Sequence, residues 1–196
     1  CLRAGVPLIL AGPVAGIDDP LELDRPLAAD DSALLAHPDV GKYDYSSLQH
    51  LVYASAPMSV DKLVEAVKVF GPVLTQTYGQ AEACMICTFF SPEDHVAALE
   101  TNNRHRLASC GKVSPLVRLE VMDDAGKLLP RGERGEIVVR GSLVMKGYYN
   151  NVEATAEASA FGWHHTGDIG VIDEDGFVYI VDRKKDMIIS GGFNVF

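Results

Sequence analysis

The sequence predicts an α/β protein, a partial parallel β-α-β unit followed by a small antiparallel, β-barrel-like unit. Three observations carry this. Residues 51–77 run strand, helix, strand, the succession that builds a parallel sheet with covering helices. Beyond about residue 106 helical periodicity gives way to short alternating strands and tight turns. The composition is globular: 196 residues, 47% hydrophobic and 22% charged, enough for one or two cores. The expected division is 1–105 for the α/β part, 106–182 for the small β part, and 183–196 for a hinge with the start of a further domain.

Residues 6–10 are a short apolar strand candidate. Residues 12–31 are proline- and acid-rich, without helix or strand period, and read as loop. Residues 33–38 form a short helix stopped by Pro38. Residues 51–54 make a strand. Ser59 is an N-cap for a helix over 60–70, with Val60, Leu63, Val64 and Val67 on one face and Gly71-Pro72 as its stop. Residues 73–77 are the next strand. Ser91-Pro92-Glu93-Asp94 starts another helix, with N-cap, proline at N1 and an acid at N3. In the second half, Val117, Leu119 and Val121 alternate with Arg118, Glu120 and Met122, the pattern of a half-buried strand. Asp123-Asp124-Ala125-Gly126 and Asp173-Glu174-Asp175-Gly176 are hairpin turns, with partner strands at 137–140 and 178–181.

Charge excludes some function classes. Seventeen basic against 27 acidic residues leave a formal charge of −10, without the basic footprint of a nucleic-acid binder. No apolar run approaches the ~18 residues of a membrane helix. Residue 1 is Cys, without a leader pattern, and the start reads as internal to a longer protein. Cys1, Cys84, Cys87 and Cys110 are too few for a disulfide framework and read as reduced thiols of a cytoplasmic protein. Cys84-Met85-Ile86-Cys87 lacks a second ligand pair for zinc, and its apolar flanks suggest buried structural thiols. Walker and Rossmann glycine patterns are both missing.

Several segments carry candidate chemistry. Gln76-Thr77-Tyr78-Gly79-Gln80-Ala81-Glu82 follows a strand, where a parallel sheet binds ligands. There an aromatic can stack on a base, a glycine admits close backbone approach and a carboxylate can hold Mg²⁺. On residue types alone the ordinary βα segment is the favoured reading here, as it is for Tyr53-Ala54-Ser55-Ala56-Pro57-Met58. Thr166-Gly167-Asp168 reads as a turn with a solvated carboxylate, and His164 and His165 as packing residues. Asp182-Arg183-Lys184-Lys185-Asp186 reads as a solvated charge run.

Taken together, these segments resemble the adenylate-forming, AMP-binding enzymes. The resemblance runs from about Lys42 to Phe196 and rests on 53–58, 76–82, 136–150 with Lys146-Gly147-Tyr148-Tyr149-Asn150, 162–168, 182–186 and Ser190-Gly191-Gly192-Phe193-Asn194. The wording is most like a bacterial fatty or aryl acyl-CoA synthetase. It implies ATP/AMP, Mg²⁺ and coenzyme A as ligands and a fatty or aromatic carboxylic acid as substrate. It also implies two steps: carboxylate attack on the α-phosphorus, then thiol displacement of AMP. The resemblance makes Tyr78 the adenine-stacking residue with Gln76 beside the base. Thr77, Gly79, Ser55, Ala56 and Pro57 become nucleotide-lining positions, and Asp168 and Arg183 reach the ribose. Gly191 and Gly192 lie near the thiol tunnel. Glu82, as Mg²⁺ ligand, and Lys185, at the hinge, are the expected catalytic residues.

The chain departs from the family at Ala81, where Thr is usual, and over 12–31. The family's glycine-rich phosphate loop is expected before residue 1 and its C-terminal lysine after residue 196, so these 196 residues alone are expected to be inactive. The alternatives are a non-catalytic nucleotide-binding remnant, a fatty-acyl-AMP ligase or an aryl-CoA ligase.

Overall fold

The computed structural model describes residues 9–11, 35–54, 58–84, 86–184, 188–190 and 193–195, with side chains from 35 to 184. The expected loop over 12–31 lies outside the described residues. The chain divides into two compact units. One takes residues up to Gln76, Ser91–Ala108 and 187–196; the other takes Thr77–Phe90 and Ser109–Asp186.

In the first unit β1 (Ile9–Ala11) pairs antiparallel with β2 (His50–Tyr53), and β2 pairs parallel with residues 74–76 of β3 (Leu74–Tyr78). Helix α1 (Val60–Phe70) makes the crossover, as a parallel pair requires. Ser59 caps it by accepting the Lys62 N–H at 3.3 Å, and the Gly71 N–H closes its end on the Val67 carbonyl at 3.0 Å. The buried face is Leu63, Ala66 and Phe70, while the expected Val60, Val64 and Val67 are only half-buried. Phe70, at the helix end, turns the stripe toward itself by stacking edge-on against Tyr45 at 4.9 Å. Helix α2 (Pro92–Glu100) starts as expected, with Ser91 Oγ accepting the Asp94 N–H at 3.0 Å, and α3 (Arg104–Leu107) follows. Near the C-terminus β10 (Ile188–Ser190) and β11 (Phe193–Val195) form a two-stranded antiparallel pair.

In the second unit β4 (Thr88–Phe90) pairs antiparallel with β5 (Lys112–Val113). A four-stranded antiparallel sheet follows in the order β6 (Val117–Met122), β7 (Gly135–Gly141), β8 (His164–Ile172) and β9 (Val178–Arg183). Helix α4 (Val152–Ala158) lies between β7 and β8 in sequence. Both predicted turns close, Gly126 N–H on the Asp123 carbonyl at 3.1 Å and Gly176 N–H on that of Asp173 at 3.0 Å.

The sheet is covered on both faces. Leu119, Val121, Ile137, Val139, Ile172 and Val178 pack with Ala83, Cys87 and Cys110 on one side. Met122 and Val138 pack with Trp163 on the other. Met122 was expected on the solvent side and is 1% exposed, because Trp163 closes that face. Arg118 and Arg140 lie over the Trp163 ring, 5.1 and 4.4 Å from its centre.

The thiols divide. Cys87 and Cys110 are buried, and burial pushes them up to about 11 and about 12, so they are inert thiols. Cys84 is exposed, against expectation, and its backbone N–H donates to the Leu143 carbonyl at 3.2 Å.

Candidate nucleotide site around Asp168

Thr166-Gly167-Asp168 is not a turn at the end of a strand. It is a bulge inside β8, and Asp168 is 1% exposed. Between the pairs Glu136↔Ile169 and Val138↔His165, β7 advances two residues while β8 takes four. The extra length is accommodated at Gly167, whose φ of +73° is the left-handed value glycine supplies in such bulges. Thr166 Oγ donates to the Ile137 carbonyl at 2.7 Å and accepts the Asp168 N–H at 3.1 Å. Across the strand Asp168 sits opposite Arg183 of β9.

This geometry aims the carboxylate at three donors. Asp168 Oδ2 accepts from Tyr78 Oη at 2.6 Å and from Gln80 Nε2 at 2.9 Å. Gln80 Nε2 also donates to the Thr166 carbonyl at 2.8 Å. Oδ1 faces Arg183 Nε at 2.7 Å as an ion pair, without an aligned hydrogen bond. Burial, then the charge of Asp168 and the bond to it, push the Tyr78 phenol well above its ordinary value, so Tyr78 keeps its proton and donates it to Asp168.

A second buried carboxylate, which the motif reading passed over, holds the bulge from behind. Glu136 Oε1 accepts the Gly167 N–H at 3.0 Å. Its Oε2 lies 2.9 Å from His165 Nδ1 and 3.1 Å from Lys184 Nζ. Burial raises the Glu136 carboxyl, but these three hydrogen bonds outweigh it and hold it below its ordinary value. The other ring nitrogen of His165 meets the Ala160 carbonyl at 3.1 Å, so His165 is a fixed bridge. His164 is buried, and its burial pushes it below the usual histidine value.

The charge run is therefore partnered residue by residue. Asp182 pairs with Arg134 at 2.9 Å, Arg183 with Asp168, and Lys184 with Asp124 at 2.7 Å as well as Glu136.

Glu82 is half-buried, and its Oε1 accepts from Tyr148 Oη at 3.0 Å. Its segment is tied to 143–145 through Met145 N–H on the Glu82 carbonyl at 2.7 Å. That places Lys146-Gly147-Tyr148 against the acid. Among the described residues no three His, Cys, Asp or Glu side chains gather as a metal cluster. A single oriented carboxylate fits Mg²⁺, which binds through one or two carboxylates plus substrate phosphates. Ala81 is exposed.

In the first unit Gln76 is opposite Tyr53 in the β2–β3 register, and Tyr53 Oη lies 3.3 Å from its Oε1. Thr77 is buried, and its hydroxyl has no partner among the described residues. Gly79 is half-buried. Ser55, Ala56, Pro57, Lys185, Gly191 and Gly192 lie outside the described residues. Tyr78, Gln80, Thr166 and Asp168 are thus one hydrogen-bonded constellation, ion-paired to Arg183, and Glu82 with Tyr148 is a second. The signal for Gln80 was its place between Gly79 and Glu82, and for Glu136 a lone acid directly before the apolar run Ile137-Val138-Val139.

The AMP-binding enzyme family model matches residues 26–149, and the chain belongs to that family. It is 44% identical over 164 residues to a medium/long-chain-fatty-acid–CoA ligase of Mycobacterium tuberculosis, covering 84% of this chain and 28% of that one. A feruloyl-CoA synthase of Amycolatopsis is 40% identical, over 84% of this chain and 32% of the relative. Among solved structures, the amide bond synthetase McbA of Marinactinospora thermotolerans matches with TM-score 0.76 and 38% identity, over 84% of this chain and 32% of that one. An anthranilate CoA ligase in complex with anthranoyl-AMP matches with TM-score 0.68 and 29% identity, over 84% of this chain and 30% of that one. The chain thus spans less than a third of each of these relatives. Among the described residues no helix is long and apolar enough to cross a membrane.

Proposed function

We propose that these residues form the ribose and base part of the nucleotide site of an ATP-dependent acid–thiol ligase of fatty or aromatic acids. The observation that carries this reading is the buried Asp168 carboxylate, held by Tyr78, Gln80 and Arg183. Two oxygens on one rigid carboxylate suit a vicinal diol, and Arg183 beside it adds a donor.

In the structure described, those oxygens already have protein partners, so nucleotide binding is an exchange. Tyr78 leaves Asp168 to stack its ring on the adenine, and a ribose hydroxyl takes its place on Oδ2. The family resemblance supports Gln76, Thr77, Gly79, Ser55, Ala56 and Pro57 as the further nucleotide-binding positions. Mg²⁺, when bound to Glu82, would neutralise phosphate charge. Tyr148 keeps Glu82 turned toward that task.

The substrate is already a carboxylate at neutral pH, so its attack on the α-phosphorus needs no base. What the chain's residues supply is positioning and charge placement. Lys185 is the hinge for the change between half-reactions, and Gly191-Gly192 leave room for the thiol. Residues 1–196 by themselves turn over little or nothing, since they account for less than a third of the relatives' length. An amine acceptor in place of the thiol is the second reading, carried by the likeness to the amide bond synthetase.

The test is acid-dependent pyrophosphate release from ATP by the natural full-length protein, screened over fatty and aryl acids. Product analysis for thioester or amide then follows. A folded protein that released no pyrophosphate with any of these acids would overturn the proposal.

A further inference from the structure

The two peptide units that lead into Asp168 are held at every polar backbone atom. The Thr166 carbonyl accepts from Gln80 Nε2 at 2.8 Å, and the Gly167 N–H donates to Glu136 Oε1 at 3.0 Å. The Gly167 carbonyl accepts the Lys184 N–H at 2.8 Å, and the Asp168 N–H donates to Thr166 Oγ at 3.1 Å. A peptide unit is planar, so its carbonyl and its N–H turn together. With both units pinned at both ends, the direction in which the Asp168 side chain leaves β8 is set. Lys184 enters this frame twice. Its N–H extends the β8–β9 ladder one residue past Arg183, the register partner of Asp168. Its ammonium lies 3.1 Å from Glu136 Oε2, on the carboxylate whose other oxygen takes the Gly167 N–H. The bonds close a ring around Gly167: its N–H to Glu136, Glu136 to the Lys184 side chain, and the Lys184 N–H back to its carbonyl.

We propose that Lys184 is a positioning residue: by closing this ring it holds the Asp168 carboxylate in the orientation that meets both ribose hydroxyls, and so sets a preference for a ribonucleotide over a 2′-deoxyribonucleotide. The inference rests on the proposed nucleotide site and adds what enforces its sugar selectivity. The ring ties β7 to β9 across β8 where the β7–β8 register shifts. Gly167, at φ +73°, is the residue with the widest backbone freedom, so a bulge centred on it keeps one shape only under outside constraint. A carboxylate meets two hydroxyls at once only when held within about 0.5 Å of the matching position.

The two arms of the Lys184 ammonium have different weights. Asp124, 2.7 Å away in the turn between β6 and β7, has a side chain that is 90% exposed, so water screens that pair. Glu136 is 8% exposed and carries the bulge. Lys184→Met keeps most of the stem and the backbone N–H but opens the ring at the ammonium. Lys184→Arg keeps the charge. Asp124→Asn weakens the exposed arm and leaves the ring closed.

The experiment compares ATP and 2′-deoxy-ATP in acid-dependent pyrophosphate release by the natural full-length protein and the three variants, as a ratio of kcat/KM. Binding of AMP and 2′-deoxy-AMP is the second readout. The preference for the ribonucleotide is expected to fall about two- to tenfold in Lys184→Met, the worth of one hydrogen bond, with the KM for the acid unchanged. Lys184→Arg is expected to restore most of it, and Asp124→Asn to leave it as in wild type. A purely structural role would lower the thermal midpoint and the use of both nucleotides together; an unchanged ratio in Lys184→Met therefore overturns the proposal. So does an equal fall in Asp124→Asn, a Lys184→Arg variant that restores nothing, or a wild-type protein that binds AMP and 2′-deoxy-AMP equally. Wild-type protein that neither binds AMP nor uses ATP overturns the nucleotide site itself, a different failure. Should Lys184→Met not fold, Lys184→Gln is read in its place.

Discussion

At the scale of single residues, the site is a contest for lone pairs on Asp168. Tyr78 holds Oδ2 at 2.6 Å, and in the proposed function it gives that place to a ribose hydroxyl. Tyr78→Phe keeps the ring and removes the competitor. Stability is expected to fall by about 1 kcal/mol for the lost hydrogen bond, while AMP affinity holds or rises. Denaturant melts and AMP titration check the two directions, and weaker AMP binding with unchanged stability would contradict the exchange.

Glu136 is the complementary case, a residue whose worth is structural. Glu136→Ala leaves the Gly167 N–H without its acceptor and takes one of two partners each from His165 and Lys184. The cost is expected at about 1–3 kcal/mol, read as a lower thermal midpoint. Neither role could be seen in residue types alone. A carboxylate in the sequence Thr-Gly-Asp reads as solvated, because nothing local says that Gly167 bends a strand to bury it. Tyr78 and Asp168 are 90 positions apart, and only the fold brings them together.

At the scale of elements, what was legible was local and what was missed was tertiary. Ser59 and Ser91 announced two helices because a hydroxyl before an apolar run satisfies an otherwise orphaned N–H. Gly126 and Gly176 announced two hairpins. The buried face of α1 was read one step off because Phe70 finds Tyr45, a contact no periodicity contains. Met122 was placed on the right face but read as solvated, because strand alternation assumes one wet side, and Trp163 dries it.

The motif around Tyr148 belongs to this scale as well. Gly147 has φ +152°, and a Cβ there would stand 2.7 Å from Thr155 Cγ2 on α4. Gly147→Ala is expected to push α4 away and turn Tyr148 from Glu82. Stability should fall by about 1–3 kcal/mol, and the Mg²⁺ requirement of nucleotide use should rise. A variant with wild-type melting and wild-type Mg²⁺ dependence would show that the crowding is absorbed elsewhere.

At the scale of the whole molecule, buried titrating groups couple stability to pH. Burial depresses His95 and His164, so the unfolded chain takes up protons first as pH falls below about 6.5. The stability they carry is complete above that value and is lost as pH drops toward their folded values. Glu136 is also depressed, by hydrogen bonds that outweigh burial. Its contribution is complete above about 4.3 and is lost as pH falls through its folded value. Thermal midpoints are therefore expected to be lower at pH 5.5 than at 7.5 and to fall again below pH 4, with the first step reduced in His95→Phe. A midpoint flat from pH 5 to 8 would contradict the histidine part.

Family membership, by contrast, was legible from spacing along the chain, because six separated segments keep their order in sequence whatever the packing does. The central claim is that Asp168 is the nucleotide anchor of an acid-activating site. Carboxylic-acid-dependent exchange of labelled pyrophosphate into ATP, in the natural full-length protein and in Asp168→Asn, tests it most directly. The account predicts exchange that requires the acid and falls at least about tenfold in the variant, the loss of one charged hydrogen-bonding group. Exchange of equal rate in both proteins would contradict it.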